Sequence, residues 1–218
     1  MDIFLEWVGS TASMSRREAT EVFSEWAEKG KDEGMEKGHA ASVHAMLQLG
    51  GIPRQDNYSA VDIGCGNGWV CRLLAQDESC TRVLGVDGSE AMISKAKQID
   101  SNGDYRVTKL PEWAPTEKFD FVHSMEFLYY LHDPQSMLKQ LHENWLNSGG
   151  MLVAGIDHYR ENDDSLDWPD ALNVHMTTLS IDEWRTAMIE AGFIDVEIHQ
   201  VAASDSFVGT LVMCGKKI

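Results

Sequence analysis

Three glycines at alternate positions, Gly64, Gly66 and Gly68, follow an apolar segment and could hold a ligand against the backbone. Glycine lacks a Cβ, so a bound molecule can approach the peptide closely and positive φ angles cost little. The preceding residues 60–63 are mostly small or β-branched, as in a central parallel strand, and apolar residues recur at helical spacing after the turn. The segment therefore predicts a strand, a glycine turn and a helix, in that order.

The spacing of these glycines discriminates between two classes of ligand. In the dinucleotide fingerprint G-x-G-x-x-G, the third glycine stands three positions after the second. Here Gly68 comes one position too early, and Trp69 occupies the expected place. Asp62, one residue before the end of the strand, would repel a pyrophosphate but stabilise a cationic amino-acid group. The turn thus favours a ligand with a cationic part over a nicotinamide dinucleotide.

The eight residues 61–68, Val-Asp-Ile-Gly-Cys-Gly-Asn-Gly, resemble motif I of the class I S-adenosylmethionine-dependent methyltransferases. Residues 84–89 resemble the second strand of that family, whose terminal acid accepts hydrogen bonds from the ribose hydroxyls, and Asp87 takes that place. Residues 118–124 and 146–153 are similar to its fourth and fifth strands. The resemblance extends from about residue 59 to the C-terminus. It implies S-adenosylmethionine as cofactor and S-adenosylhomocysteine as product.

The resemblance also implies which residues contact the cofactor. The three glycines would allow close backbone approach, with Asp62 near the amino-acid end and Asp87 at the ribose. In this family an acid usually follows the third strand and binds the adenine amino group, but here the segment contains no such acid, and backbone groups at residues 109–110 are the expected substitute. The further cofactor candidates are neighbours of these segments: Cys65, Asn67, Gly88, Met92, Lys109, Leu110, Ser124 and Met125. Core packing is an equal alternative for Met92.

The N-terminal part of the chain predicts helices that precede the sheet. Apolar residues recur on one face over residues 16–29, residues 30–39 hold three glycines among charges and predict a loop, and a second helix extends to Gly50. In similar methyltransferases such a segment covers the cofactor, which makes Trp26, Met35 and His39 candidates for contacts with the sulfonium end. Simple packing of Trp26 and a surface or capping role for His39 are the alternatives. We expect a helical cap over residues 1–50 and a methyltransferase domain over residues 51–218, with the first fifteen residues mobile.

The remaining elements complete the prediction of the fold. Ser89 can cap a helix that follows the second strand, Asp133 and Pro134 are suited to the start of a later helix, and Ser180 with Glu183 forms a capping-box pattern. Two final strands resemble the terminal antiparallel pair of the family. The expected fold is α/β: a three-layer sandwich with a Rossmann-like, seven-stranded, mostly parallel sheet whose last strand is antiparallel, and an N-terminal helical cap.

Composition excludes several classes of partner. The chain has 218 residues and a formal net charge of −17, and such a charge repels nucleic acid. The four cysteines form no C-x-x-C pair, so neither a metal site nor disulfides are predicted. Acids stand where a signal peptide needs basic residues, and no apolar run approaches membrane length, which favours a cytoplasmic protein. The sequence predicts no oligomeric state.

Methyl transfer from a sulfonium requires alignment above all, because the donor is already activated. A base becomes necessary when the acceptor is a hydroxyl or a protonated amine. His132, His158 and Tyr130 are candidate catalytic residues, with structural alternatives for each: a capping role for His132, a loop role for His158 and core packing for Tyr130. The wider set of possible bases in strand ends and loops also includes Glu126, which could face solvent, and Tyr129 and His175.

Three functions are compatible with the sequence. The first is an S-adenosylmethionine-dependent methyltransferase that acts on a small molecule. The second is a protein methyltransferase, whose acidic surface would suit a basic partner. The third is a module that binds the cofactor without transferring methyl, for which the missing acid after the third strand is an argument. The glycine spacing disfavours a nicotinamide oxidoreductase.

Overall fold

The computed structural model describes residues 16–218, so the prediction made for the first fifteen residues lies outside the described part. Seven strands form one sheet: β1 Tyr58–Ile63, β2 Cys80–Asp87, β3 Asp104–Val107, β4 Phe119–Met125, β5 Leu146–Ile156, β6 Ile194–Val201 and β7 Thr210–Lys216. Their order across the sheet is β3-β2-β1-β4-β5-β7-β6. Strands β1 to β5 pair in parallel, and β7 is antiparallel to both of its neighbours. The predicted fold class is confirmed.

Seven α-helices flank this sheet within the described residues: α1 Ala19–Glu28, α2 Asp32–Leu49, α3 Trp69–Leu74, α4 Glu90–Ile99, α5 Pro134–Gln140, α6 Trp168–Ala171 and α7 Ile181–Glu190. The predicted helix starts are present. Ser89 caps α4 by accepting a hydrogen bond from the backbone N–H of Met92, and Asp133 caps α5 with Pro134 in the first turn. Ser180 and Glu183 form both hydrogen bonds of the capping box at α7.

The loop predicted over residues 30–39 is wrong, because only residues 30–31 lie in a turn and residues 32–39 form the first half of α2. Two of its glycines, Gly34 and Gly38, lie inside the helix with open space where a Cβ would stand. Glycine in a helix interior costs about 1 kcal/mol relative to alanine. Tertiary contacts offset this cost: Asp32 in the first turn is 3% exposed and pairs with Lys95 at 2.7 Å. Local propensity was therefore overridden by packing.

Two apolar layers hold the helices to the two faces of the sheet, because successive strand residues point to opposite faces. On one face, α5 and α7 pack with Val61 and the buried Trp145 and Trp184. On the other face, the second half of α2 packs against residues of β1 and β4, including Ala60 and Phe121. This half of α2 is thus part of the core, whereas α1 and the first half of α2 lie over the carboxyl ends of the strands.

Within residues 16–218, no helix has both the length and the apolar character needed to cross a bilayer.

Candidate active site

A cleft lies at the carboxyl ends of β1 and β4, beneath α2, and encloses about 60 Å³. In open α/β sheets, ligands bind beyond the carboxyl strand ends at the point where the strand order reverses, which in this sheet lies between β1 and β4. The lining combines the glycine turn with polar and thioether side chains from α2, α4 and β4. It consists of Asp32, Met35, His39, Asp62, Gly64, Cys65, Gly66, Asn67, Trp69, Val70, Met92, Met125 and Glu126.

A wider depression of about 500 Å³ lies at the opposite edge of the sheet, at the amino ends of β1 and β4. Arg54, Asp56 and Asp120 are among its lining residues. It contains none of the residues that the sequence singles out for binding or chemistry. Its larger volume therefore does not make it the functional site.

The glycines of the turn have different surroundings. Gly66 has φ +52°, and a Cβ added there would meet only the Met92 sulfur at 3.9 Å, so this backbone faces the cleft and admits a close ligand. Gly68 has φ +77°, and a Cβ there would stand 2.5 Å from the Tyr105 ring. Gly68 is therefore required by packing beneath the turn and does not line the cleft.

Asp87, at the carboxyl end of β2, ties the glycine turn to α4. Its carboxylate accepts hydrogen bonds from the backbone N–H groups of Gly66 at 2.9 Å and Ser89 at 2.7 Å. Burial raises the pKa of Asp87, although these two hydrogen bonds favour the charged form. Each carboxylate oxygen can accept a second hydrogen bond, so the position is chemically suited to a pair of ribose hydroxyls.

Asp62 supplies a buried carboxylate beneath the cleft, with 2% of its surface exposed. The Nδ1 of His123 lies 2.7 Å from its Oδ1, because the parallel register places these two residues opposite each other on β1 and β4. His123 donates this hydrogen bond, and its Nε2 is buried with no hydrogen-bond partner among residues 16–218. His123 is absent from the sequence-based predictions, since the strand register that pairs it with Asp62 is not visible in the sequence.

A second polar group, which we call the carboxylate–histidine cluster, consists of His39 on α2, Glu126 after β4 and Asp157 after β5. The His39 Nε2 lies 3.3 Å from the Asp157 Oδ2. The backbone N–H of Asp157 donates to the Glu126 Oε1 at 2.5 Å. Glu126 has φ +56°, a left-handed conformation that is strained for a residue with a side chain. Three segments far apart in the chain thus converge at one point.

Hydroxyl groups complete the hydrogen bonding of this cluster. The Tyr129 hydroxyl donates to the Glu126 Oε2 at 2.7 Å, and the Thr210 hydroxyl donates to the Asp157 Oδ1 at 2.6 Å. Glu126 is therefore turned inward and does not face solvent as the sequence suggested. The cluster presents one nitrogen and two oxygen ligand atoms within 4.8 Å of one another, a donor set that a divalent cation could also use.

The surroundings shift the proton affinities of the cluster. Burial and, to a smaller extent, the charge of Asp157 raise the pKa of Glu126 to about 8. For His39, burial alone would lower the pKa, but the nearby carboxylates of Asp157 and Glu126 outweigh burial and the pKa is raised. Both shifts favour retention of protons in this part of the cleft.

Nine of the predicted cofactor residues line the cleft: Met35, His39, Asp62, Gly64, Cys65, Gly66, Asn67, Met92 and Met125. Others lie outside it. The Trp26 ring packs edge-on against Phe23, and Gly88 lies beneath Thr20 of α1. Lys109 is exposed, Leu110 packs against the core, and the Ser124 hydroxyl donates to the Ile63 carbonyl inside the sheet.

The predicted catalytic residues differ in position. His132 is exposed, and its ring stacks on that of His175 with the ring centroids 3.7 Å apart. Asp133 is the residue that caps α5, so the capping role expected for His132 is wrong. His158 is buried with Nδ1 2.9 Å from the Ser165 carbonyl and Nε2 2.8 Å from the Thr178 hydroxyl, so both nitrogens are occupied by the loop. Burial lowers the pKa of His158. The Tyr130 hydroxyl lies 3.2 Å from that of Tyr129 and is thereby connected to Glu126.

Two acids of the site, Asp32 and Asp157, are absent from the sequence-based predictions of function. Asp32 accepts a hydrogen bond from the Asn67 side chain at 2.9 Å and holds α2 against the glycine turn. Burial alone would raise the pKa of Asp32, but hydrogen bonds from Lys95 and Asn67 outweigh it and the pKa is lowered. In the sequence, Asp32 lies among charges and glycines that read as a solvated loop, so no local pattern identified it.

Comparison with known proteins agrees with this geometry. Residues 17–198 match a family model described as a methyltransferase domain. Trans-aconitate 2-methyltransferase of Azoarcus sp. strain BH72 is 32% identical over 105 residues, which is 48% of this chain and 41% of the relative. Ubiquinone biosynthesis O-methyltransferase of Bradyrhizobium diazoefficiens is 32% identical over 120 residues, which is 53% of this chain and 44% of the relative. These matches thus span less than half the length of either curated relative.

Solved structures of methyltransferases share the fold. A methyltransferase in complex with the Haloferax volcanii Trm112 activator has a TM-score of 0.77 and 27% identity, covering 93% of this chain and 99% of that one. An S-adenosylmethionine-dependent methyltransferase from Mesorhizobium loti has a TM-score of 0.68 and 21% identity, and the match covers 81% of this chain and 98% of that one. At the latter identity the likeness is one of fold alone.

Proposed function

The chain belongs to the family of S-adenosylmethionine-dependent methyltransferases, and on this premise we propose that it transfers a methyl group from that cofactor to a small-molecule acceptor. The observation that carries the proposal is the arrangement of two polar groups around the strand-order reversal. The glycine turn, Asp62 and Asp87 lie on the β1–β2 side, and the carboxylate–histidine cluster lies on the β4–β5 side. We assign the first side to the cofactor and the second to the acceptor.

The residues on the β1–β2 side fit the cofactor. Gly66 leaves open space toward the cleft, as a backbone in direct contact with a ligand requires. The Asp62 carboxylate suits the cationic amino-acid end, and Asp87 suits the ribose hydroxyls. When bound, S-adenosylmethionine supplies an activated methyl group on a sulfonium. The protein then has to hold the acceptor in line with it, which is worth about 7–11 kcal/mol in well-oriented reactions.

We also propose that α1 and the first half of α2 act as a lid, the mobile part of the cap assigned to residues 1–50. The cleft encloses about 60 Å³, whereas pockets for ligands of the size of S-adenosylmethionine commonly measure about 300–1,000 Å³. Entry of the cofactor therefore requires these helices to move. The polar contacts that such movement would break include Asp32 with Lys95 and Asn67, the Ser24 hydroxyl 2.8 Å from that of Ser89, and the His39 ring 3.3 Å from Asp157.

A covered cleft favours a small acceptor over a protein acceptor, which would need an open groove for a peptide. The curated relatives named above are methyltransferases of trans-aconitate and of ubiquinone biosynthesis, and both names point to small molecules. The net charge of −17 disfavours nucleic acid. The carboxylate–histidine cluster favours turnover over simple cofactor storage, since a binding module has no use for protonatable groups beside the cofactor.

Calorimetry with S-adenosylmethionine, S-adenosylhomocysteine and NAD tests the proposal. We expect micromolar binding of the first two and no binding of NAD. Asp87→Ala should abolish binding, whereas Asp205→Asn, which removes an exposed carboxylate, should leave it unchanged. Absence of binding of both sulfur compounds, or binding of NAD, would contradict the proposal.

A further inference from the structure

On the acceptor side of the cleft, acidic side chains outnumber basic ones. Of the described residues that line the cleft, none is lysine or arginine, while Glu126 belongs to the lining and contacts Asp157, which is 7% exposed. Buried carboxylates are costly unless cations or several hydrogen bonds compensate them. The chemistry of this side therefore favours an acceptor that brings positive charge.

The hydrogen bonds of His39 show how much positive charge the cluster itself supplies. The His39 Nδ1 lies 2.9 Å from the Met35 carbonyl, which can only accept, so Nδ1 carries a hydrogen. The Nε2 faces the Asp157 Oδ2 at 3.3 Å, and attraction there requires a second hydrogen on Nε2. Glu126 receives hydrogen bonds from a backbone N–H and from the Tyr129 hydroxyl, both neutral donors. The His39 ring also lies within 4.8 Å of Glu126, so a single imidazolium serves two carboxylates and the ionised cluster keeps one uncompensated negative charge.

Aromatic rings continue from Glu126 toward α1. The Tyr129 and Tyr130 rings have centroids 4.3 Å apart, and the Phe23 ring of α1 stands edge-on to Tyr130 at 5.4 Å. Tyr129 is 1% exposed and Tyr130 is partly buried, so these rings give Glu126 surroundings of low polarity. A carboxylate in such surroundings suits a molecule with an ammonium group attached to an apolar skeleton.

We propose that the acceptor is an amine, held as an ammonium ion against Glu126 and methylated on nitrogen. This inference rests on the proposed methyl transfer and adds the class of acceptor. An ammonium beside Glu126 favours the ionised form of this carboxyl group, and the ammonium then gives one proton to the carboxylate, which frees a lone pair on nitrogen. That lone pair attacks the methyl carbon while the carbon–sulfur bond breaks toward sulfur. The products are a methylated ammonium and neutral S-adenosylhomocysteine, and Glu126 returns its proton to solvent.

The geometry disfavours a carboxylate as acceptor, because its negative charge would lie beside Glu126 in surroundings of low polarity. It also separates the roles of the acids. Asp62 lies beneath the glycine turn on the cofactor side, whereas Glu126 follows β4, the next strand beyond the point where the order reverses. Removal of the Glu126 charge should therefore weaken the amine and spare the cofactor.

Matched acceptors test this assignment. Phenethylamine, 2-phenylethanol and 3-phenylpropanoate share one skeleton and differ in charge, and butylamine, butanol and butanoate form a second set. We expect methylation of at least one amine with kcat/KM at least about tenfold above that of its alcohol and carboxylate counterparts. Preference for an alcohol or carboxylate, or failure to methylate either amine while S-adenosylhomocysteine binds, would overturn the amine assignment alone. Failure to bind S-adenosylhomocysteine would overturn the proposed function itself.

A variant series assigns the effect to Glu126. Glu126→Gln should lower kcat/KM for the amine by about 100-fold and change S-adenosylhomocysteine affinity by less than about threefold, with Asp205→Asn as the matched control. Asp157→Asn serves as a second variant if Glu126→Gln loses its fold, and should lower kcat/KM about tenfold. A loss of S-adenosylhomocysteine affinity in a folded variant would place the cluster at the cofactor. Activity abolished by EDTA and restored by Mg²⁺ or Mn²⁺ would identify a metal site. Either result would overturn the proposal.

Discussion

The two sides of the cleft are built in different ways. On the β1–β2 side, the glycine turn and Asp87 lie within one stretch of strand, turn, helix and strand, and neighbouring residues supply most of the contacts. On the β4–β5 side, His39, Glu126 and Asp157 come from three segments that meet only in the folded chain. The first side can be recognised as a motif. The second depends on strand order and on a helix that closes over the sheet.

This difference has a functional meaning. Under the proposed assignment, a cofactor shared by many enzymes is bound by a local pattern, whereas the acceptor, which varies from enzyme to enzyme, is bound by side chains from covering elements and strand ends. The positions that decide specificity are therefore the ones least visible in a single sequence. Variants on the β1–β2 side should change cofactor affinity. Variants on the β4–β5 side and in the covering helices should change acceptor turnover or the stability of the lid.

The largest effect is expected at Gly66, the backbone that faces the cleft. Gly66→Val places a branched side chain at φ +52° in the space that a ligand would occupy. We expect S-adenosylhomocysteine affinity to fall at least about 100-fold, or about 2.7 kcal/mol, as measured by calorimetry. Binding within tenfold of the wild type would show that the cofactor does not lie against this turn.

Gly68→Ala should instead reduce stability, because the added Cβ would stand 2.5 Å from the Tyr105 ring at φ +77°. We expect the free energy of unfolding to fall by about 2 kcal/mol in denaturant titration. Gly34→Ala is the matched control, since its site in α2 has open space and the helix should gain about 0.5–1 kcal/mol. Equal effects of the two substitutions would refute the packing role of Gly68.

Asp32→Asn tests the contact that holds α2 to the rest of the site. Loss of the pair with Lys95 should lower the free energy of unfolding by about 1.5 kcal/mol at pH 7. Because the pKa of folded Asp32 is lowered, its stabilisation is present above the ordinary carboxyl pKa of about 4 and is lost as the pH falls through the lower, folded value. The difference between wild type and variant should therefore shrink on acidification below about pH 4. A constant difference down to pH 2 would contradict this account.

The smallest effect is expected from a local contact remote from the cleft. Ser180→Ala removes one half of the capping box and should cost about 1 kcal/mol in unfolding free energy. The affinity for S-adenosylhomocysteine should remain within about twofold. Ser180→Thr, which keeps the hydroxyl, serves as the control, and a change in affinity upon Ser180→Ala would show coupling between α7 and the cleft.

Much of the fold could be predicted because the information is local. Alternation of apolar strands and helices predicted the sheet, and Ser89, Asp133 and Ser180 each begin a helix as expected, since capping involves residues at most three positions away. The loop predicted over residues 30–39 is wrong for the opposite reason, because long-range contacts decide its structure. Its glycines and charges disfavour a helix locally, whereas the contacts of Asp32 with α4 and the glycine turn stabilise the helix.

The sequence by itself determined the glycine turn, the acid at the end of β2 and the class of fold, because these depend on spacing along the chain. Only the tertiary structure decided that Asp62 pairs with His123, that His158 is held within its loop, and that Glu126 turns inward. Acidic residues and histidines occur at many strand ends and loops of this chain. Which of them meet is decided by strand order and register, and by the packing of α2 over the sheet, since these bring together atoms that no local pattern relates.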